Sequence, residues 1–300
     1  MIKSLKNLFK TSREEMNKTQ YLMSDINNEE VYNIIRYQEP LMPGENLEDL
    51  TDDNINLIIT DPMTSGYTSE NLRQFYYDTY INRIYFWILE NVKKSDENNQ
   101  YNVKTIKLLD CGCNLGIFKQ SLALLNLLKE NGYNFNIEYT GIEFNTNHTK
   151  LAKRIDKDIN ILESTVEEFI SQSKFDIILF INFFENDVLK GMAEEQIKYF
   201  QDVNQITTMD DYVIKIFEDY SINKLEVNGL LLMNFDSWSL YNSTDTNYVL
   251  TPNVVTNLYD FSKSNNLSFK LEDPFVKLDI NIQNALLTIT KERDNEPNTA

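Results

Sequence analysis

Apolar and polar residues alternate along the chain in blocks that predict strands and helices in turn. Seven short apolar runs predict strands, at 106–110, 137–144, 159–163, 175–181, 230–235, 267–271 and 285–290. Longer stretches with apolar residues at every third or fourth position predict helices, at 117–131, 146–156, 208–228 and 252–263. The run FDIILFI at 175–181 is almost continuously apolar, which is typical of a strand buried on both faces. This order predicts an α/β domain with five strands alternating with helices, followed by one helix and two closing strands.

The first hundred residues have a different pattern, which predicts a helical region ahead of the sheet. Apolar residues recur four positions apart from Leu72 to Val92 and predict one long helix, which Thr68 or Ser69 would cap. The polar run KKSDENNQYN at 93–102 predicts a boundary after this helix. We therefore expect an N-terminal helical region over 1–100, the α/β domain over 101–293 and a tail over 294–300.

Composition excludes several classes of protein. No apolar run approaches the roughly 18 residues of a membrane span, so we expect a soluble, cytoplasmic protein that does not contact a membrane. Two cysteines lie two positions apart and the chain has one histidine, His148, so neither a disulfide framework nor a metal site is expected. We expect Cys111 and Cys113 to be small apolar loop residues, and His148 to lie at the surface. A net charge of −18 opposes broad nonspecific contact with nucleic acid.

The loop after the first predicted strand is the stretch that points to a ligand. It runs from Asp110 to Gly116 as DCGCNLG, between an apolar run and a leucine-rich helical pattern. A strand, a tight turn and a helix in this order form the phosphate- or nucleoside-binding corner of a doubly wound sheet. Gly112 lets the chain turn sharply and Gly116 lets the helix start pack closely, so a ligand can lie against bare backbone. Dinucleotide-binding loops have Gly-x-Gly-x-x-Gly, whereas Asn114 stands here at the middle glycine.

The Asp-x-Gly-x-Asn-x-Gly loop resembles the first motif of the class I S-adenosylmethionine-dependent methyltransferases, Asp/Glu-x-Gly-x-Gly-x-Gly. The resemblance covers about 104–291 and implies a Rossmann-like seven-stranded sheet whose last strand is reversed. It implies S-adenosylmethionine as the cofactor, with Glu143 on the ribose, Glu163 and Ser164 near the adenine, and the N-terminal helix as a cover. The cofactor-binding residues that it implies are Asp110, Gly112, Cys113, Asn114, Gly116, Glu143, Phe144, Glu163, Ser164 and Ile181.

A narrower resemblance concerns the acceptor of the methyl group. The stretches 110–116, 238–241 and 250–252 resemble the RNA 5′-phosphate, or methylphosphate capping, methyltransferases. The Trp-x-His-Leu-Asn segment of that group has no counterpart between Asn182 and Asp211, and Asp236-Ser237 replaces its Gln-Pro. The acceptor-binding residues expected from this resemblance and from the sheet rim are Asn182, Phe183, Arg73, Arg83, Trp238 and Tyr241.

Several alternatives stay open at the level of the sequence. Amino methyltransferases carry Asn/Asp-Pro-Pro-Tyr after the fourth strand, but Asn182-Phe183-Phe184 lacks both prolines, so this motif is not met. The alternative to acceptor binding is that Phe183 packs at the rim of the sheet. The acceptor is an RNA end or, given the charge, a small molecule or basic protein. An inactive methyltransferase-like binding subunit and a dehydrogenase or other nucleotide enzyme are the alternatives to an active methyltransferase. Methyl transfer from a sulfonium needs positioning and no covalent nucleophile, so no catalytic residue is assigned.

Overall fold

A seven-stranded sheet forms the centre of the computed structural model, which describes residues 80–94, 103–116, 118–184, 208–236, 252–272 and 284–291. The strands are β1 Lys104–Cys111, β2 Phe135–Glu143, β3 Ile161–Glu163, β4 Phe175–Phe184, β5 Leu225–Asp236, β6 Leu267–Glu272 and β7 Asn284–Lys291. Their spatial order is β3-β2-β1-β4-β5-β7-β6. The strand order therefore reverses between β1 and β4, which are neighbours at the centre of the sheet.

The direction of the strands confirms the predicted fold. Strands β1 to β5 pair in parallel with one another. Strand β7 lies between β5 and β6 and runs antiparallel to both of them. The Rossmann-like seven-stranded sheet with a reversed last strand is thus the architecture of this chain.

Six α-helices of the described residues cover both faces of the sheet. They are α1 Asn82–Asn91, α2 Phe118–Ser121, α3 Asn126–Glu130, α4 Thr146–Ile155, α5 Met209–Asp219 and α6 Pro252–Ser264. One buried core joins Ile106 and Leu108 of β1 to helices α1 to α4. The other core joins Leu109 and Cys111 of β1 to α5 and α6. Alternate residues of β1 thus face opposite cores, as the period of a strand requires.

Helix α1 is the described part of the predicted N-terminal helical region, and it packs across β5. Just before it, the Tyr80 hydroxyl donates to Asn234 Oδ1 at 2.5 Å. At its other end, Trp87 Nε1 donates to the carbonyl oxygen of Asn228 at 2.6 Å. These two bonds orient α1 from the carboxyl end of β5 toward its amino end. The rest of the predicted region, most of the predicted boundary and the tail lie outside the described residues.

Two predicted helices differ from the structure. The stretch 117–131 contains α2, a 3₁₀ turn at Leu122–Leu125 and α3 in place of one continuous helix. The helix predicted to continue to 228 is wrong beyond residue 224, because a π turn at Tyr220–Lys224 ends it and Leu225 begins β5.

Asn228 and Gly229, where the predicted helix was to end, form a bulge inside β5. Asn228 has a φ of +62°, which asparagine tolerates better than most residues. The register passes from Phe175 opposite Leu225 to Ile177 opposite Leu230, so β5 carries extra residues at this point. The pair therefore interrupts the regular pairing of a strand and does not end a helix.

Within the described ranges, no helix is long and apolar enough to cross a membrane.

Candidate functional site

The loop after β1 makes a tight turn at the carboxyl ends of the central strands. Gly112, Asn114 and Gly116 have φ values of +67°, +50° and +68°. Left-handed backbone of this kind suits glycine and, less commonly, asparagine. The Cys113 amide donates to the carbonyl oxygen of Ile142 at 3.0 Å, which holds the loop against the end of β2. Asn114 therefore keeps the turn that the middle glycine of the related motif would allow.

The space beside each loop glycine is filled by the protein itself. A Cβ atom at Gly112 would collide with the ring of Phe183, and one at Gly116 would collide with the side chain of Ile159. The sharp turn at Gly112 and the close packing at Gly116 are therefore as expected, and the binding of a ligand against the loop backbone stays a prediction. Both glycines serve side-chain packing there, and a ligand would approach the loop from another direction.

Glu143 ties the loops after β1 and β2 together. It is the last residue of β2 and only 5% exposed. Its Oε2 accepts from the Asn114 amide at 2.9 Å, and its Oε1 accepts from the Asn145 amide at 2.9 Å. Because a carboxylate offers about four acceptor positions, each oxygen keeps capacity for a second donor. The side chain is thus oriented before any ligand arrives.

A second acid, Asp110, lies buried beside Glu143 at the end of β1. The Tyr139 hydroxyl donates to its Oδ2 at 2.7 Å. Burial raises the pKa of Asp110 from 3.8 to about 7, the Tyr139 hydrogen bond opposes that rise, and the negative charge of Glu143 adds to it. Burial and the charge of Asp110 also raise the pKa of Tyr139 well above its ordinary value. The loop therefore encloses a carboxyl group that changes charge near neutral pH.

His148 is a residue of this site that the sequence interpretation missed. It was expected at the surface, but it is only 9% exposed. Its Nδ1 lies 3.7 Å from Glu143 Oε1. The histidine is the third residue of α4, and helix side chains lean toward the helix N-terminus. A helix that begins three residues after a site acid was the signal that could have placed His148 near Glu143.

An exposed apolar surface lies beside Glu143. Phe144 is 55% exposed directly after β2, and Leu162 of the neighbouring β3 is 41% exposed. The Ser164 amide donates to the carbonyl oxygen of Glu143 at 3.1 Å. The exposed Glu163 accepts from the Thr146 hydroxyl at 2.6 Å. The predicted adenine region is therefore an open surface at the ends of β2 and β3, while Ile181 lies half-buried in β4.

The predicted acceptor residues do not gather at one place in the described structure. Phe183 is 8% exposed and packs edge-on against Phe180 and Phe184, which agrees with the rim-packing interpretation. Asn182 lies in β4. Arg83 lines a groove of about 560 Å³ beside Asn228 and Thr290, in the first half of β5 and the end of β7. Predicted contacts outside the described residues are Arg73, Trp238 and Tyr241.

The two cysteines are packing residues, as predicted. Both are free and buried. Burial, and next the charge of Asp110, raises the pKa of both thiols well above the ordinary value, so neither is an activated nucleophile. Over the described part of the chain, no three His, Cys, Asp or Glu residues are grouped to hold a metal ion.

Comparison with known proteins gives similarities to solved structures. No protein-family model and no curated protein matches the chain. The chain is similar to the N-methyltransferase NodS from Bradyrhizobium japonicum WM9, with 13% identity, 75% of this chain and 99% of that chain covered, and a TM-score of 0.42. It is similar to an S-adenosylmethionine-dependent methyltransferase from Clostridium acetobutylicum ATCC 824, with 12% identity, 75% and 99% covered, and a TM-score of 0.42. It is also similar to the plantazolicin methyltransferase BpumL in complex with SAH, with 11% identity, 92% and 100% covered, and a TM-score of 0.46.

Proposed function

We propose that this chain is an S-adenosylmethionine-dependent methyltransferase. The observation that carries the proposal is the carboxylate of Glu143, held at the end of β2 by amides of two loops. Ligands of doubly wound sheets bind at the carboxyl ends of the strands, where the strand order reverses. That position lies here between β1 and β4, directly at the loop from Gly112 to Gly116.

The residues at this position fit the nucleoside part of the cofactor. Glu143 has acceptor capacity left for ribose hydroxyls, and an acid at the end of the second strand is the usual ribose partner in such sheets. The 55% exposed ring of Phe144 offers a flat apolar face beside it, and bases stack on aromatic faces of this kind. Asn114 in place of a glycine speaks against a dinucleotide, whose pyrophosphate needs the closer backbone approach.

The chemistry asked of the protein is mainly positioning. When bound, S-adenosylmethionine supplies a methyl group on a positively charged sulfur. Glu143 places a carboxylate at the loop, held by two backbone amides, and its negative charge favours a cationic ligand. Glu143 is held by hydrogen bonds from two loops, so it orients the ribose without reorganisation. No residue is required as a covalent nucleophile, because the reaction is an in-line displacement.

The acceptor proposed for this enzyme is an RNA 5′-terminal phosphate. Support comes from the stretches 110–116, 238–241 and 250–252 and from the basic residues among the first eighteen. Recognition of one phosphate and one or two bases needs only a few local donors and an aromatic platform, so the net charge of −18 does not oppose it. A small molecule or a basic protein is the alternative acceptor. An inactive binding subunit is the alternative to an enzyme.

Calorimetric titration tests the cofactor proposal. The parent protein should bind S-adenosylmethionine and S-adenosylhomocysteine, and NAD should give no saturable heat. Phe144→Ala should weaken the binding of S-adenosylhomocysteine by about 1 to 3 kcal/mol, the usual contribution of stacking one base. Phe86→Ala is the matched control, because Phe86 is also exposed, at 36%, but lies on α1. Saturable binding of NAD alone would overturn the proposal.

Transfer of a radiolabelled methyl group tests the acceptor. The protein is incubated with labelled S-adenosylmethionine and total cellular extract, and the products are digested separately with nuclease and protease. Label released by nuclease supports RNA. Label that survives nuclease, or appears only in small metabolites, removes the RNA acceptor and leaves an enzyme with another acceptor. Cofactor binding without transfer to any product would favour the inactive binding subunit.

A further inference from the structure

The imidazole of His148 is held in a buried position against the carboxylate of Glu143. Asn145 caps helix α4, because its Oδ1 accepts from the His148 backbone amide at 3.3 Å. The same Asn145 donates its own amide to Glu143 Oε1 at 2.9 Å. The cap therefore fixes the histidine and the acid relative to each other. His148 Nδ1 consequently lies 3.7 Å from the oxygen that also receives the Asn145 amide.

The position of the His148 ring beside Glu143 favours one of the two neutral tautomers of the imidazole. A neutral imidazole has one donor and one acceptor nitrogen. A carboxylate can only accept, so a proton on Nδ1 is favoured beside Glu143 Oε1, and Nε2 is left as the acceptor. Nε2 is buried and has no partner among the described residues. His148 therefore presents its donor to Glu143.

A role in packing alone does not account for this histidine. A buried polar atom without a partner is unfavourable and rare in folded proteins, and an apolar side chain would fill the same space without that penalty. The contact with Glu143 is the interaction that favours an imidazole there. At 3.7 Å it is longer than a hydrogen bond, and such contacts commonly tighten when a ligand binds.

We propose that His148 is a positioning residue that acts through Glu143 and sets the preference for a ribose over a sugar without hydroxyls. Its Nδ1–H restrains the Oε1 side of the carboxylate, while the Asn114 amide restrains the Oε2 side. The one acceptor position that then remains, on Oε2, points toward the ribose hydroxyls. This inference rests on the proposed function, because it assigns Glu143 to the ribose.

The test compares S-adenosylhomocysteine with its 2′,3′-dideoxy analogue by calorimetry. The parent should prefer S-adenosylhomocysteine by about tenfold or more, since the analogue loses a hydroxyl contact with a charged acceptor. His148→Leu should reduce that preference by about fivefold, the equivalent of one hydrogen bond. His148→Asn should keep most of it, because the asparagine amide nitrogen lies where Nδ1 was. His148→Gln, whose amide lies nearer the Nε2 position, should behave like His148→Leu, and the exposed Lys150→Ala on the same helix is the control.

A merely structural histidine would give a different result. All three substitutions would then weaken both ligands equally and leave the preference of the parent unchanged, and this outcome would overturn the inference alone. If His148→Leu does not fold, the comparison of His148→Asn with His148→Gln decides, and equal preferences would overturn the inference. A parent that binds neither ligand would overturn the proposed function, and the inference would fall with it.

Discussion

Replacing Asp110 by asparagine should change how stability depends on pH. In the folded protein the carboxyl group is 2% exposed and has a pKa of about 7, against 3.8 for an ordinary aspartate. Between these two pH values the folded state keeps the proton and the unfolded state has lost it. The contribution of the protonated carboxyl group to the free energy of unfolding is therefore fully present below pH 3.8, and it is lost as the pH rises through about 7.

The expected size follows from the two pKa values. A tenfold change in proton affinity corresponds to about 1.4 kcal/mol, so the interval from 3.8 to about 7 corresponds to about 4 kcal/mol. Asparagine has no charge to bury, and its Oδ1 can still accept from the Tyr139 hydroxyl. Asp110→Asn should therefore match the parent near pH 4 and exceed its free energy of unfolding by about 4 kcal/mol at pH 8.

Urea unfolding at a series of pH values between 4 and 8 measures this difference. The carboxyl groups elsewhere titrate in both proteins, so subtracting the parent from the variant isolates Asp110. The exposed Asp260→Asn variant controls for the loss of one negative surface charge. A difference between Asp110→Asn and the parent that stays flat, or that favours the parent increasingly as the pH rises, would refute the reasoning.

Three further substitutions test the site and the fold. Glu143→Ala should weaken S-adenosylhomocysteine binding by about 1 to 3 kcal/mol because the ribose loses a charged acceptor, whereas the exposed Glu138→Ala on the same strand should bind like the parent; equal calorimetric affinities of the two variants would contradict the assignment. Gly112→Val should lower the free energy of unfolding by about 2 to 4 kcal/mol, since φ is +67° and the new side chain collides with Phe183; an unchanged urea midpoint would count against this packing. Tyr80→Phe should cost about 1 to 3 kcal/mol in the same assay, because its buried amide partner in β5 loses a donor; stability equal to the parent would show that the bond contributes little.

The sheet could be predicted because its strands are apolar over most of their length and end at recognisable turns. The run from Phe175 fits a buried strand, and the structure places it between β1 and β5. The limits of local pattern show at Leu225, whose spacing continued a helical stripe. Only pairing with Phe175 across the sheet makes Leu225 the start of a strand. That contact joins residues far apart in sequence, so the local helical periodicity cannot indicate it.

The acids of the site could be predicted for the same topological reason. Asp110 and Glu143 end neighbouring parallel strands, so their side chains must meet at one edge of the sheet. The surroundings of these acids could not be predicted. The direction of the His148 ring and the position of Phe183 beside Gly112 depend on how side chains pack across separate elements. Such contacts follow from three-dimensional packing, which a single sequence does not display.

The insertion of β7 between β5 and β6 bears on how the chain folds as it is synthesised. Strand β6 leaves the ribosome before β7, yet β7 is its only neighbour among the strands that the structure describes. Until residues 284–291 emerge, β6 lacks its described partner strand, and the edge of β5 that β7 covers is open to pairing with other chains. The parallel part of the sheet, β1 to β5, can assemble earlier. We therefore expect the nascent chain to expose an aggregation-prone edge until β7 is synthesised, and the reversed strand then covers that edge.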